Sequence, residues 1–123
     1  MELYHLDWER SSAKYGNDYI KLIIPIGTES KVLARKFFEE GDVYELVATS
    51  EAEDVEELYK ATQNDLTTDS WSIKPPRAVR PTQPEFLTTP DGKKIGRRST
   101  AMGDIVVKNG QLLLCAAVGF ETI

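Results

Sequence analysis

Arg97-Arg98-Ser99-Thr100, entering Gly103-Asp104, is the polar cluster with the most chemical capacity in this chain. Two guanidiniums beside two hydroxyls can grip a phosphate or a carboxylate with paired hydrogen bonds. That chemistry suits either a docking surface or a small enzyme acting on a phosphorylated substrate, which would need a concave pocket holding Arg97, Arg98 and Ser99. The same residues also suit structural work. Ser99 and Thr100 can bond neighbouring backbone, Asp104 can cap the turn, and the arginines can pair with the acids between Glu51 and Glu57. The structural reading explains Ser99 to Asp104 well, and the arginines divide between the two.

Catalytic alternatives are sparse. His5 is the only histidine, so two-histidine metal sites and facial triads are unavailable. A serine–histidine pair with Ser11 or Ser99 is compositionally allowed, but nothing resembles a nucleophile elbow. The histidine reads as an inert residue on an edge strand. Cys115, the only cysteine, lies in an apolar strand, where a thiol serves packing; an internal disulfide and a cysteine-based zinc site are excluded. No glycine-rich phosphate loop and no paired carboxylates are evident. The expectation is a protein with no catalytic residue, no metal and no cofactor.

Charge is distributed unevenly. Residues 65–100 hold seven basic side chains (Lys74, Arg77, Arg80, Lys93, Lys94, Arg97, Arg98) against four acidic ones, a net +3, while the remainder carries −8. Nine acids crowd between Glu39 and Glu57. That acidic stretch could imitate a nucleic-acid backbone, although acids in a capped first turn are routine helix electrostatics. The basic arm from Lys74 to Arg98 could bind RNA or DNA through Arg77, Arg80, Arg97 and Arg98. Only Trp71 and Phe86 are available there for stacking, without regular spacing.

The chain of 123 residues, 41% hydrophobic and 28% charged, has the size and composition of one globular domain. No apolar run approaches the roughly 18 residues of a membrane span. The N-terminus has neither the basic nor the apolar region of a secretory signal, which points to a cytoplasmic protein.

Periodicity supplies the framework. Leu3–Trp8 alternates as a strand, 11–18 reads as a turn-forming loop, and the β-branched run Tyr19–Ile26 reads as a second strand limited by Pro25. Ser30 caps a short helix from Lys31 to about Glu40, stopped by Gly41. Val43–Thr49 follows as a strand. A capping box, Ser50-Glu51-Ala52-Glu53, then starts a helix whose face comprises Ala52, Val55, Leu58, Tyr59 and Thr62 and which frays near Asn64. Residues 65–100 hold five of the six prolines and form an irregular arm, pinned to the body by Trp71, Ile73, Phe86, Leu87 and Ile95. Asn109-Gly110 between two apolar runs marks a type I′ hairpin in which Lys108 faces Gln111 and Ile105 faces Leu114. Both faces of that hairpin are apolar, which places it inside the sheet. The whole is α+β: a mostly antiparallel sheet, two short helices, the proline-rich arm and a C-terminal hairpin.

Tyr44-Glu45-Leu46-Val47-Ala48 ahead of the helix, Leu58–Asn64 closing it, Trp71, and the final Arg98-Ser99-Thr100-Ala101-Met102-Gly103-Asp104, hairpin and Gly119-Phe120 carry a family likeness. Over residues 43–123 the chain resembles a loose group of small proteins of bacteriophages, plasmids and other mobile elements. Its terminal cassette is similar to the domain named YodL. The resemblance implies no particular reaction and no catalytic residue. It implies a non-catalytic module that occupies a host macromolecule, such as a defence or transcription component, inside the host cell. The candidate contact residues are Arg77, Arg80, Arg97, Arg98, Ser99 and Trp71. A host protein is the expected partner, nucleic acid the alternative, and a membrane is not expected.

Overall fold

A computed structural model of the chain describes residues 1–24, 27–64, 71, 79–82, 86–88 and 90–123. The fold is α+β. Its main sheet runs in the order β3(Val79–Pro81), β2(Tyr44–Ser50), β1(Glu2–Leu6), β6(Ile105–Lys108), β7(Gln111–Cys115), β8(Phe120–Thr122), and every neighbouring pair is antiparallel. A separate two-stranded ribbon joins β4(Phe86–Thr88) to β5(Lys94–Gly96).

The hairpin forms as its turn residues dictate. Asn109 and Gly110 adopt φ of 52° and 76°, the paired positive angles of a type I′ turn, and Lys108 opposes Gln111 while Ile105 opposes Leu114. Because β6 also pairs with β1, the hairpin lies within the sheet, as its two apolar faces require. Ile105 and Leu114 join Leu6, Leu22, Ala34, Phe37, Val43 and Tyr44 on one face. Val106 joins Leu3, Val47, Ala48, Leu58, Trp71 and Val79 on the other. Two apolar layers therefore sandwich one sheet.

Four helices, not two, are present among the described residues: α1(Trp8–Tyr15), α2(Asp18–Ile23), α3(Gly27–Glu40) and α4(Val55–Ala61). Residues 11–18, read as a loop, mostly belong to α1, whose N-cap Asp7 accepts a hydrogen bond from the Arg10 amide at 2.9 Å. The opening strand correspondingly stops at Leu6, and Trp8 starts the helix. The β-branched run from Tyr19 is helical rather than extended; Leu22 is fully buried against the α3 and sheet side of the core. Tertiary burial here overrides strand propensity. Pro25 and Ile26 of that run lie outside the described residues. Helix α3 starts at Gly27, so Ser30 is a buried interior residue and not a cap; Gly41 does end it, its amide bonding the Phe37 and Phe38 carbonyls.

The capping box does not form. Ser50 ends β2 and its hydroxyl accepts from the Ala52 amide, while Asp54 caps α4 by accepting from Glu56 N–H. The helix therefore starts only at Val55, and the expected face survives from there onward, with Leu58 and Thr62 buried. Of the arm's expected pins, Trp71 is buried, whereas Ile73 and the side chains of Phe86, Leu87 and Ile95 lie outside the described residues.

Leu114 is wholly buried, so Leu114→Ala should cost about 2–5 kcal/mol in lost burial and residual cavity. Lys93→Ala, at an exposed position, should cost less than about 0.5 kcal/mol. Equilibrium urea unfolding of both variants measures the difference, and equal midpoints would remove the hairpin from the core.

Candidate functional site

The Arg97–Asp104 segment runs inward. After the short ribbon the chain passes beneath α4, and Asp104 stands at the entry to β6 with none of its surface exposed. Its carboxylate accepts from both Arg98 Nη1 and Nη2 at 2.7 Å, and from the amides of Leu6 and Ala101 at 2.8 Å. The Arg98 guanidinium also donates to the Leu6 and Ser99 carbonyls and lies 4.4 Å from the Trp8 ring. The paired grip that could hold an external anion is thus closed on an internal one. For Arg98 the expected pairing with the acidic helix is replaced by this contact with the buried Asp104.

Arg97 is buried too, donating to the Trp71 carbonyl at 2.8 Å with its guanidinium 5.0 Å from the Trp71 ring centre. The Trp71 indole N–H donates to the Arg98 carbonyl at 2.9 Å. Ser99 Oγ accepts from the Asn64 amide at 2.7 Å, tying the arm to the end of α4. Among the described candidates Arg80 is the exposed one, 3.3 Å from Glu51. Arg77 lies outside the described residues. The structure brings Arg97, Arg98, Ser99 and Trp71 together as one interlocked unit and leaves Arg80 apart on β3.

His5 is not on an edge. Strand β1 pairs with β2 and β6, and the imidazole is buried beside Trp71, ring centres 6.0 Å apart. Its Nε2 lies 3.0 Å from Thr100 Oγ1 and 3.7 Å from Asp104 Oδ2. Thr100 Oγ1 is in turn 2.8 Å from Thr62 Oγ1, which lies 2.9 Å from the Leu58 carbonyl. A carbonyl only accepts, so the Thr62 proton goes to Leu58, the Thr100 proton goes to Thr62, and Nε2–H of His5 donates to Thr100. Burial pushes the imidazole pKa down to about 4; Asp104 pulls it up, Arg98 opposes that pull, and burial dominates. This threonine–histidine–aspartate set has the composition of a nucleophile and its base, but the proton chain runs the wrong way. The nitrogen facing Thr100 carries a proton and cannot take one. The network closes the junction of β1, α4 and the arm. Burial likewise raises the Tyr44 phenol, whose O–H donates to the Gly103 carbonyl at 2.7 Å.

Arg80 lines a small hollow of about 180 Å³ with Met1, Glu2 and Glu51, and a larger concave surface lies elsewhere. A groove of about 350 Å³ runs between α4 and the turn joining β7 to β8, lined by Glu56, Tyr59, Met102, Cys115, Ala116, Ala117, Gly119 and Phe120. Helical spacing puts Glu56 and Tyr59 on one side of α4. Across the groove Phe120 meets Tyr59 edge to face, ring centres 6.1 Å apart at 78°. Val118, at the turn, is 89% exposed, and Met102 is 38% exposed. The helix face was readable in advance, but the other wall was not: β8 carries no turn signal as direct as Asn-Gly, and Met102 reaches the groove only through the fold of the 101–104 turn.

Among the described residues no group of histidine, cysteine, aspartate and glutamate could hold a metal ion, and no helix is long and apolar enough to cross a membrane. Set against known proteins, the chain matches no family description, no curated protein and no solved structure.

The buried imidazole makes stability depend on pH. Its folded pKa lies below its unfolded value, so between about pH 6.5 and about pH 4 the unfolded chain binds the extra proton and stability falls as pH falls. Wild type should lose about 2–3 kcal/mol more than His5→Gln between pH 7 and pH 4. Urea unfolding at both pH values tests this; parallel losses in the two proteins would show that His5 is not held neutral.

Proposed function

We propose that this chain is a non-catalytic binding module of phage or mobile-element type that docks a host protein on the groove between α4 and the β7–β8 turn. One observation carries the reading. The groove gathers Tyr59, Phe120 and Met102, partly exposed apolar side chains, beside a turn whose Val118 is 89% exposed. Aromatic residues and methionine are the types that partner interfaces concentrate, and an apolar patch rimmed by polar residues marks such surfaces. In the interior Asp104 is meanwhile held by Arg98, and His5 by Thr100, which favours recognition over chemistry. The resemblance of residues 43–123 to mobile-element proteins supplies the host-directed part of the reading and its site of action in the host cytoplasm.

Nucleic acid is the less favoured partner. Of the arginines that reading uses, Arg97 and Arg98 turn their guanidiniums inward, and Arg80 pairs with Glu51.

A photo-crosslinking amino acid at position 118 should yield a discrete protein adduct in bacterial host extract, and the same group at position 109 should not. Tyr59→Ala should reduce the adduct at least about tenfold, the scale of an interface hot spot. Equal labelling from both positions, or recovery of nucleic acid alone with steep salt dependence, would overturn the reading.

A further inference from the structure

The groove's lining has a composition that plain apolar docking does not explain. It contains one carboxylate, Glu56, and no basic side chain. A Cβ added to Gly119 would stand 3.4 Å from Glu56 Oε1, so the carboxylate lies directly against the turn that forms the opposite wall. Its charge also reaches the floor: burial, with Asp104 and then Glu56 adding to it, pushes the Cys115 thiol up to about 12. Arg98 opposes that rise, and within the groove itself Glu56 is the one charged group among the described lining residues.

The rings refine this. Two aromatic rings in a T arrangement leave a corner bounded by one face of each, and ring faces carry the negative lobe of the quadrupole. Tyr59 and Phe120 form such a pair, and Glu56, one turn before Tyr59, stands on the same side of α4. Met102, Ala116 and Ala117 add small or polarizable apolar surface without filling the space. A volume of about 350 Å³ is at the lower end of ligand sites and suits a single head group or side-chain tip.

We propose that this groove receives an alkylated ammonium, presented as an N-methylated lysine of the docked partner; the inference rests on the groove being the docking site. A compact cation with methyl groups touches both ring faces of the corner while Glu56 balances its charge. A planar guanidinium is less suited, because it stacks on one face and seeks a carboxylate side-on. An unmodified lysine ammonium is more strongly hydrated and loses more on entering an apolar corner.

The test is an NMR titration of the intact protein with three short peptides of one sequence: one carrying trimethyllysine, one unmodified lysine, and one a neutral analogue with a quaternary carbon in place of the nitrogen. Tetramethylammonium chloride is the small-molecule arm. The trimethyllysine peptide should shift the Met102 methyl and the Ala117 and Gly119 amides, and bind at least about tenfold more tightly than the neutral analogue. Glu56→Gln should remove most of that preference, and Tyr59→Leu, which keeps bulk on the helix, should abolish it; unchanged signals from β1 and β6 verify the fold of both variants. Equal binding of the charged and neutral peptides would overturn the ammonium inference and leave an apolar dock. So would the absence of any shift from a protein that still forms the Val118 adduct. Loss of the adduct as well would remove the docking site itself. Binding of tetramethylammonium without the methylated peptide would overturn the partner-borne source.

Discussion

The wholly buried carboxylate of Asp104 takes hydrogen bonds from Arg98, from the Leu6 amide and from the Ala101 amide. These donors belong to the returning arm, the end of β1 and the turn before β6. Its own backbone continues the junction: the Cys115 amide donates to the Asp104 carbonyl at 2.8 Å, and the Gly103 amide donates to the Cys115 carbonyl at 2.9 Å. A charge removed from water costs several kcal/mol unless every lone pair finds a donor, so this arrangement tolerates few alternatives. Leu6 must end its strand there, and Arg98 must arrive from the arm.

The neighbouring features follow from that junction. With Arg98 drawn inward, the backbone of 97–100 lies along the end of α4, where Thr100 meets Thr62 and Ser99 meets Asn64. Trp71 closes the layer above His5. Gly103, at φ 95°, has no room for a side chain, since a Cβ would sit 2.6 Å from the Leu22 carbonyl of α2. One turn thereby sets the seat of α2 on one face of the sheet and, through Met102, the floor of the groove beside α4 on the other side of the turn.

What could be read in advance depended on how local each determinant is. Asn109-Gly110 fixes its own turn and four cross-strand pairs, so the hairpin and its register were legible to the residue. The α+β class was legible from the same periodicities. Helix α2 was not, because its β-branched residues state a preference that the burial of Leu22 overrules. Helix α1 was hidden by serine, glycine and asparagine, although Asp7 as a cap with Glu9 in the first turn is a helix-start signal that could have found it. The polar cluster was visible as residue types but not as a closed unit, since Asp104 and Leu6 meet across 98 residues. The groove was half legible: Glu56 and Tyr59 through helical spacing, Phe120 and Met102 only through the sheet.

That same separation governs the order in which the chain can assemble. Strand β1 lies between β2, which follows within about forty residues, and β6, a hundred residues onward. During synthesis β1 and β2 can pair early, but the other edge of β1 stays unpaired until β6 emerges. For that interval the nascent chain presents an open strand edge bearing Leu3 and Leu6, the kind of edge that recruits other strands or a chaperone. The sheet's most central pairing is thus among its latest, and contacts of such sequence span make folding slow relative to domains of similar size built from local contacts.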